Sequence, residues 1–271
     1  MLRIVVDSGS SIKREEAKKY GIDILPINIL IDGKEYLDGI NIDSETFYNL
    51  LATKKFPKTA LPNLEDAREL VEGYTNNGDD VLIITISSHI SGCNNAITVM
   101  FSENKHVEVV DSELAVGGIR LLVECALRNK NKPLKEVAEE VRKLIPRVKI
   151  MAIPETLDYL MKGGRLSKVE WLVGSVLKIK PVITFKEGKV AVEAKKIGLK
   201  NAMSYINQKT QQLGVDETYP IIASYTFSDK NLQTLIDESG IDRKNFVFDD
   251  LSFSIASHWG PNAFGFIFVT K

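Results

Sequence analysis

Residues 81–96, VLIITISSHISGCNNA, join an apolar run of strand length to a polar loop that leads into the start of a helix near Gly92. Two further apolar runs, RIVVD at 3–7 and VEVVD at 107–111, are also followed by polar loops, DSGSS and DSELAVGG. Because the segments between them are helical by period, the pattern predicts alternating β and α units and a largely parallel sheet covered by helices. Ligands of such sheets bind at the carboxyl ends of the strands, so these loops are candidate binding loops.

Signals at helix ends support the helices of the first half. Asp43 or Ser44 can cap a helix over SETFYNLLATKKF, and Asn63 can cap one over PNLEDARELVEGYTNNG, which NNG closes. IRLLVECAL and PLKEVAEEVRKLI are also helical by period, the latter with Pro133 near its first turn. IDILPINILI, residues 22–31, has the length and the branched residues of a buried strand.

The order of elements changes after about residue 150. ETLDYLMKGGRLS predicts a short helix stopped by Gly163 and Gly164, and WLVGSVLKIKP predicts an apolar segment ended by Pro181. PVITFKEGKVAVEA predicts two strands joined by the turn KEGK, and IIASYTF, NFVFDD and FGFIFVT predict further strands around two helices. The sequence therefore predicts an α/β protein of two domains, residues 1–150 with a parallel sheet and residues 151–271 with a mixed or antiparallel sheet.

Composition and charge narrow the class of protein. Thirty-five Lys and Arg residues balance 36 Asp and Glu residues, so no global field draws the chain to nucleic acid or to an anionic bilayer. Two cysteines are too few for a disulfide framework, and the start MLRIVVDSGSS lacks the apolar core of a secretory signal. The apolar runs are far shorter than the roughly 20 residues of a membrane span. We therefore expect a soluble, cytoplasmic protein.

The polar loops are compatible with more than one chemistry. Their Ser and Asp residues could simply cap helices, but the amino end of the helix near Gly92 could also accept an anion. No GxGxxG follows the first strand and no GxxxxGK[ST] is present, so neither nucleotide motif is found. The histidines and cysteines lack CxxC and HExxH spacings, which argues against a metal site.

A small-molecule hydrolase or transferase is the alternative from another class of protein. It would use Ser91 as nucleophile, His258 as base and Asp111 as orienting carboxylate. HISGC does not match the G-x-S-x-G elbow, which weakens this reading. In SHWGPNAFG, His258 is predicted to lie in a constrained turn just before the last strand.

Eight short segments, in order and at suitable spacing, resemble the DegV family of bacterial fatty-acid-binding proteins, the FakB type of subunit. KTALPN stands where the family tends to show T-S-Q-P-S, and ISSHISGCNNA stands where it shows S-S-x-L-S-G-T-Y-x-S-A. The other segments are VVDSGSS, LPINILIDGKEYLDG, VVDSELAVGG, TLDYLMKGGRLS, LKIKPVITFKEGKV and HWGPNAFG. The resemblance covers essentially the whole chain.

This resemblance implies two α/β domains that hold one long-chain fatty acid, such as palmitate, with its tail in an apolar tunnel. By position, it implies that Thr59, Ser91 and His258 surround the carboxylate, and that Gly92 offers its backbone N–H. It implies no catalytic residue and no cofactor, because a separate fatty-acid kinase subunit would bring ATP and phosphorylate the carboxylate for phospholipid synthesis. Arg165 of KGGRLS could contact the acyl phosphate or the kinase, or could be a solvated arginine after a helix end.

The chain departs from the family pattern at several loop positions, which are Ala60, Leu61, Asn63, Cys93, Asn94 and Asn262. These departures leave the hydroxyl and histidine residues in place but alter the residues around them. A different head-group geometry, kinase contact or lipid is therefore compatible with the sequence. Acyl length and unsaturation depend on the shape of the tunnel, which no motif encodes.

Overall fold

The structure, a computed structural model, describes residues 1–53, 56–166 and 178–271. The first part of the chain contains β1 (Leu2–Asp7), α1 (Arg14–Tyr20), β2 (Ile22–Leu25), β3 (Asn28–Ile31), β4 (Lys34–Leu37), α2 (Ser44–Ala52), β5 (Lys58–Ala60), α3 (Leu64–Asn76), β6 (Asp80–Thr85), α4 (Cys93–Met100), β7 (Val107–Asp111), α5 (Gly117–Arg128) and α6 (Leu134–Leu144). The remainder contains β8 (Val148–Ile153), α7 (Asp158–Lys162), β9 (Ile179–Lys186), β10 (Lys189–Ile197), α8 (Leu199–Leu213), β11 (Ile221–Tyr225), α9 (Lys230–Asp237), β12 (Phe246–Asp250), α10 (Phe253–Trp259) and β13 (Phe264–Val269). Within the described ranges, no helix combines the length and the apolar character needed to cross a membrane.

Four strands form a wholly parallel sheet in the order β2-β1-β6-β7. Val5 of β1 pairs with Ile83 of β6, which pairs with Val109 of β7. Val5 and Ile83 are completely buried, as expected for branched residues in a parallel sheet covered by helices. The polar loops after β1, β6 and β7 therefore lie at one carboxyl edge of the sheet, as the sequence predicted.

The segment IDILPINILI is not one strand, and this part of the prediction was wrong. β2 pairs with β1 in the parallel sheet, whereas β3 pairs with β4 and β5 in a separate three-stranded antiparallel sheet. The chain changes sheets at Pro26, which has no N–H to contribute to a ladder. Ile27 then donates its N–H to the Ser8 hydroxyl at 3.0 Å, which fixes the turn. The small sheet matters for function because it carries Thr59.

Six strands form a mixed sheet in the order β10-β9-β8-β13-β11-β12, in which only the β11–β12 pair is parallel. β9 and β10 form the predicted hairpin, with Glu187 and Gly188 at its turn in left-handed conformations. A parallel sheet followed by a mixed sheet confirms the predicted α/β fold class.

Two other predictions concern the second half of the chain. The segment WLVGSVLKIKP lies largely outside the described residues, and Pro181 does not end it, because this proline lies inside β9. β8 and β9 pair at Ala152 and Ile183, beyond the proline, so its missing N–H interrupts no bond there. Residue 150 falls within β8, and one apolar cluster contains residues from both sides of it, so the domain boundary stays a prediction.

His258 lies in the last turn of α10, not in a constrained turn as predicted. α10 ends at Gly260, which has a left-handed φ of 73° and would place a Cβ only 2.5 Å from the Tyr159 ring. The helix was missed because no residue next to its start caps it with a side chain. Its cap comes from Asp38, which accepts the N–H groups of Phe253 at 3.0 Å and Ser254 at 3.2 Å.

Candidate functional site

A cavity of about 270 Å³ lies beside the carboxyl edge of the parallel sheet. All five residues singled out from the sequence line it: Thr59, Ser91, Gly92, Arg165 and His258. Most of the other lining side chains are apolar: Ile27, Leu61, Ile86, Ile90, Ala115, Leu160, Phe185, Val190, Ile255 and Trp259. The fold thus brings together Thr59 and His258, which are 199 positions apart, at one largely apolar space.

Thr59 and His258 form the direct polar contact of this site, with Thr59 Oγ1 2.9 Å from His258 Nε2. Thr59 lies in β5, where it pairs with Ile29 of β3. His258 is held at the end of α10, whose start Asp38 caps. The small sheet and the capped helix therefore fix the two partners from opposite sides of the contact.

The His258 imidazole is neutral at physiological pH. Burial, with a smaller contribution from the nearby Arg165 charge, lowers its pKa to about 3. Its Nδ1 is buried and has no hydrogen-bond partner among the described residues. A Cβ on Gly163 would lie 2.4 Å from Nδ1, so the hydrogen that Gly163 carries in that direction points at the nitrogen.

This surrounding determines the favoured tautomer of His258. A C–H group that points at Nδ1 suits a lone pair and not a second N–H. Nε2 then carries the proton and donates it to Thr59 Oγ1. The Thr59 hydroxyl proton is consequently free to be donated to a ligand in the cavity.

Ser91 and Gly92 form another polar part of the wall, at the start of α4. The Ser91 hydroxyl accepts the N–H of Cys93 at 3.2 Å, which leaves its own proton available for a ligand. Gly92 is the N-cap residue of α4 and is exposed. The first N–H groups of a helix lack intrahelical partners and favour negative charge. This wall can therefore donate hydrogen bonds to an anion.

Arg165 follows α7 and is partly buried. Its Nε donates to the Ile90 carbonyl at 3.0 Å, and its Nη1 donates to the Gly163 carbonyl. Burial lowers the pKa of the guanidinium from its ordinary value, but a guanidinium keeps its charge in proteins. It is thus a cation on the cavity wall, and it ties the loop before α4 to the end of α7.

The geometry of the site does not favour the hydrolase or transferase alternative. The Nε2 of His258 contacts Thr59, and its Nδ1 contacts no carboxylate in the described parts of the chain. Asp111 instead accepts the N–H groups of Ser88 and Glu113, so it organises its own loop. A histidine with a pKa of about 3 is also a weak base near neutral pH. The proposed triad is therefore not assembled.

The positions that depart from the family pattern lie in different surroundings. Ala60 and Leu61 line the cavity, but Cys93 and Asn94 are buried behind the loop. Burial raises the pKa of the Cys93 thiol, and Asn94 donates to Thr85 Oγ1 at 3.0 Å. Asn262 holds a left-handed φ of 58° and donates to Glu155 at 2.8 Å. Cys93 and Asn94 thus support the loop from the core side.

Sequence reasoning missed a second set of residues that support the site. Asp38 accepts the Ser8 hydroxyl at 2.8 Å in addition to the two N–H groups at the start of α10. Ser87 donates to the carbonyl of Gly188 at 2.7 Å and so attaches the β9–β10 turn to the loop that carries Ser91. Ser8 lies in the segment DSGSS and Asp38 in the segment YLDG, but the sequence did not identify the hydrogen-bond partners of either residue. No group of three or more His, Cys, Asp and Glu residues suited to a metal ion occurs within the described ranges.

Comparisons with known proteins agree with this architecture. The family described as "Uncharacterised protein, DegV family" matches residues 1–271. A DegV domain-containing protein of Caldanaerobacter subterraneus subsp. tengcongensis is 31% identical over 278 residues, which cover 100% of this chain and 99% of the relative.

Two solved structures are similar over the whole chain. One describes fatty acid binding of a DegV family protein from Thermus thermophilus, with a TM-score of 0.89, 26% identity and coverage of 100% of this chain and 99% of that one. A fatty acid binding DegV family protein from Streptococcus agalactiae gives a TM-score of 0.87 at 25% identity, with the same coverage. Fold and site define a mixed α/β protein with a largely apolar cavity whose polar groups can receive an anion. The chain belongs to the DegV family.

Proposed function

We propose that this protein is a fatty-acid carrier that holds the ligand carboxylate against Thr59, Ser91 and the N–H of Gly92. The observation that carries the proposal is the Thr59–His258 pair facing a cavity whose remaining wall is mostly apolar. His258 acts through Thr59, because its Nε2 proton is engaged by the threonine oxygen. The fatty acid binding described for the Thermus thermophilus relative supports the same ligand class.

The physical roles of the two ends of the ligand differ. Removing a carboxylate from water is costly unless hydrogen bonds replace its hydration, and two hydroxyls and a helix amino end can supply them. Arg165 adds a positive charge on the same wall. Each buried methylene contributes about 0.8 kcal/mol, so the tail supplies most of the affinity. The head group determines the register in which the tail lies.

Native mass spectrometry tests the ligand class. The purified protein, stripped of lipid and then exposed to an equimolar mixture of fatty acids, is expected to carry one fatty-acid mass per chain. The matched fatty alcohols serve as a control, because they keep the tail but replace the carboxylate. Absence of any bound fatty acid, or equal retention of the alcohols, would contradict the proposed carboxylate site.

We also propose that a separate fatty-acid kinase subunit phosphorylates the bound carboxylate, and that Arg165 serves this step. The kinase would transfer the γ-phosphoryl group of ATP to a carboxylate oxygen, which yields an acyl phosphate and ADP. The absence of a phosphate-loop motif from the sequence and the cation at the cavity wall support this division of labour. The chain itself would then be a substrate carrier and not the catalyst.

A kinase assay separates this step from fatty-acid binding. With a fatty-acid kinase subunit and ATP, acyl phosphate trapped as hydroxamate should fall at least tenfold for Arg165→Gln, while native mass spectrometry still detects the bound fatty acid. Arg243→Gln is the control, because Arg243 does not line the cavity and contacts Asp237. Wild-type yields from Arg165→Gln would remove this residue from the proposed step.

A further inference from the structure

A second, smaller cavity lies deeper in the protein than the candidate site. It has a volume of about 20 Å³, and most of its lining comes from β8, β13 and nearby residues, including Ile150, Phe264 and Ile267. Trp259 lines both this inner cavity and the cavity of the candidate site, the main cavity. Two consecutive residues also line different cavities: Ala115 lines the main cavity and Val116 lines the inner one.

Exposure indicates which end of the main cavity is deep. Gly92 is exposed and Ser91 is partly exposed, whereas Ala115 and Ile86 are buried and Trp259 is only 6% exposed. Ser91 and Gly92 therefore lie nearer to solvent, and Trp259 belongs to the buried part of the lining, where it also lines the inner cavity. A fatty acid that places its carboxylate at Ser91 would extend its tail into this buried part of the cavity, which includes the indole.

The backbone around Trp259 is held in place on both sides. Asp38 caps the start of its helix, and Gly260 follows it with no room for a side chain against Tyr159. The main cavity, at about 270 Å³, is slightly smaller than the range of about 300–1,000 Å³ usual for small-molecule sites, so the tail has little spare space. An indole on a backbone held in this way would limit how far a tail could extend in its direction.

We propose that Trp259 is the wall between the two cavities and sets the upper limit of acyl-chain length, with the terminal methyl group of the preferred fatty acid lying against the indole. This inference rests on the proposed function. A shorter side chain at position 259 would join the main cavity to the inner cavity, whose surroundings are already apolar. Longer tails would then bury more apolar surface in the variant than in the wild-type protein.

Affinities for a series of saturated fatty acids of increasing length test the proposal. In the wild-type protein, we expect affinity to rise about fourfold per added methylene up to one length and then to stop rising. In Trp259→Leu this break is expected at least two carbons later, whereas Trp259→Phe, which keeps a ring, should move it by no more than one. Thr59→Val should weaken all lengths by a similar factor without moving the break.

The possible results separate this inference from the proposed function. If no fatty acid of any length binds the wild-type protein, the proposed function fails and the inference fails with it. If fatty acids bind but the break is absent, or stays at the same length in Trp259→Leu, only the inference is overturned.

Fluorescence quenching provides a measurement that does not depend on the folding of a Trp259 variant. The sequence has two tryptophans, so Trp171→Phe leaves Trp259 as the sole indole emitter. Fatty acids of the preferred length, brominated either at mid-chain or at the terminal carbon, quench an indole on contact. Stronger quenching by the terminal bromine supports the proposal, and equal or stronger quenching by the mid-chain bromine overturns it.

Discussion

Thr59→Val is the most informative single perturbation of the proposed head-group site. Valine keeps the shape of threonine, so the change removes the hydroxyl that contacts His258 Nε2 at 2.9 Å and leaves the packing in place. A hydrogen bond between a hydroxyl and a carboxylate stabilises by roughly 1–3 kcal/mol. We therefore expect affinity for a fatty acid to fall about 5- to 150-fold.

The same change also affects the protein without ligand. His258 Nδ1 already lacks a partner among the described residues, so valine would leave both ring nitrogens without a protein hydrogen bond. The free energy of unfolding should fall by about 1 kcal/mol, measured by urea denaturation of the lipid-free protein. Thr59→Ser is the matched control, because it keeps a hydroxyl and should restore most of both losses.

A double-mutant cycle tests whether His258 acts through Thr59. If it does, Thr59→Val combined with His258→Leu should bind fatty acid about as weakly as Thr59→Val alone, in calorimetry or probe displacement. Two independent contacts to the carboxylate would give losses that add in free energy. Additive losses would refute the relay, and wild-type affinity of Thr59→Val would refute the assigned site itself.

Three further predictions concern stability and the packing around His258. The pKa of His258 is about 3 in the folded protein, against 6.5 ordinarily, so below pH 6.5 the unfolded state binds the proton preferentially and the free energy of unfolding falls toward pH 3. Between pH 7 and pH 5, urea denaturation should show the free energy of unfolding of the wild-type protein falling by on the order of 2 kcal/mol more than that of His258→Asn. Burial raises the pKa of Asp249 to about 7, so the ionised carboxylate destabilises the fold above pH 7, and this destabilisation vanishes below pH 4. At pH 8, the free energy of unfolding of Asp249→Asn should exceed that of the wild-type protein by on the order of 3 kcal/mol. If the two proteins differed by the same amount at pH 8 and pH 4, this prediction would be wrong. Gly163→Ala should displace the imidazole and lower fatty-acid affinity at least fivefold in probe displacement, because its Cβ would lie 2.4 Å from Nδ1. Gly73→Ala, with nothing within 4 Å, should leave binding unchanged, and equal behaviour of the two glycine variants would count against this packing.

Local sequence signals were sufficient for most elements of the fold. Asp43 accepts the N–H of Thr46 and Asn63 accepts that of Glu65, so both predicted caps are confirmed at the starts of α2 and α3. These signals succeed because a cap and the helix it starts are a few residues apart. The prediction of α10 failed because its cap, Asp38, lies 215 positions before Phe253.

The candidate site was also predicted only in part. The resemblance pointed to Thr59, Ser91, Gly92, Arg165 and His258, and all five line one cavity. Their roles as ligand contacts remain predictions. The protonation of His258 could not be predicted, because its low pKa arises from burial and from Arg165, which reaches it only in the folded chain.

By itself, the sequence determined the parallel sheet, most of the helices and the residue types available for an anion site. These features follow from periodicity, from caps and from turns, which act over a few neighbouring residues. Tertiary structure alone decided that IDILPINILI divides between two sheets, that Asp38 starts the helix of His258, and that Trp259 lines two cavities. Each of these depends on which distant residue fills the space beside a side chain, and that is settled only when the sheets and helices pack together.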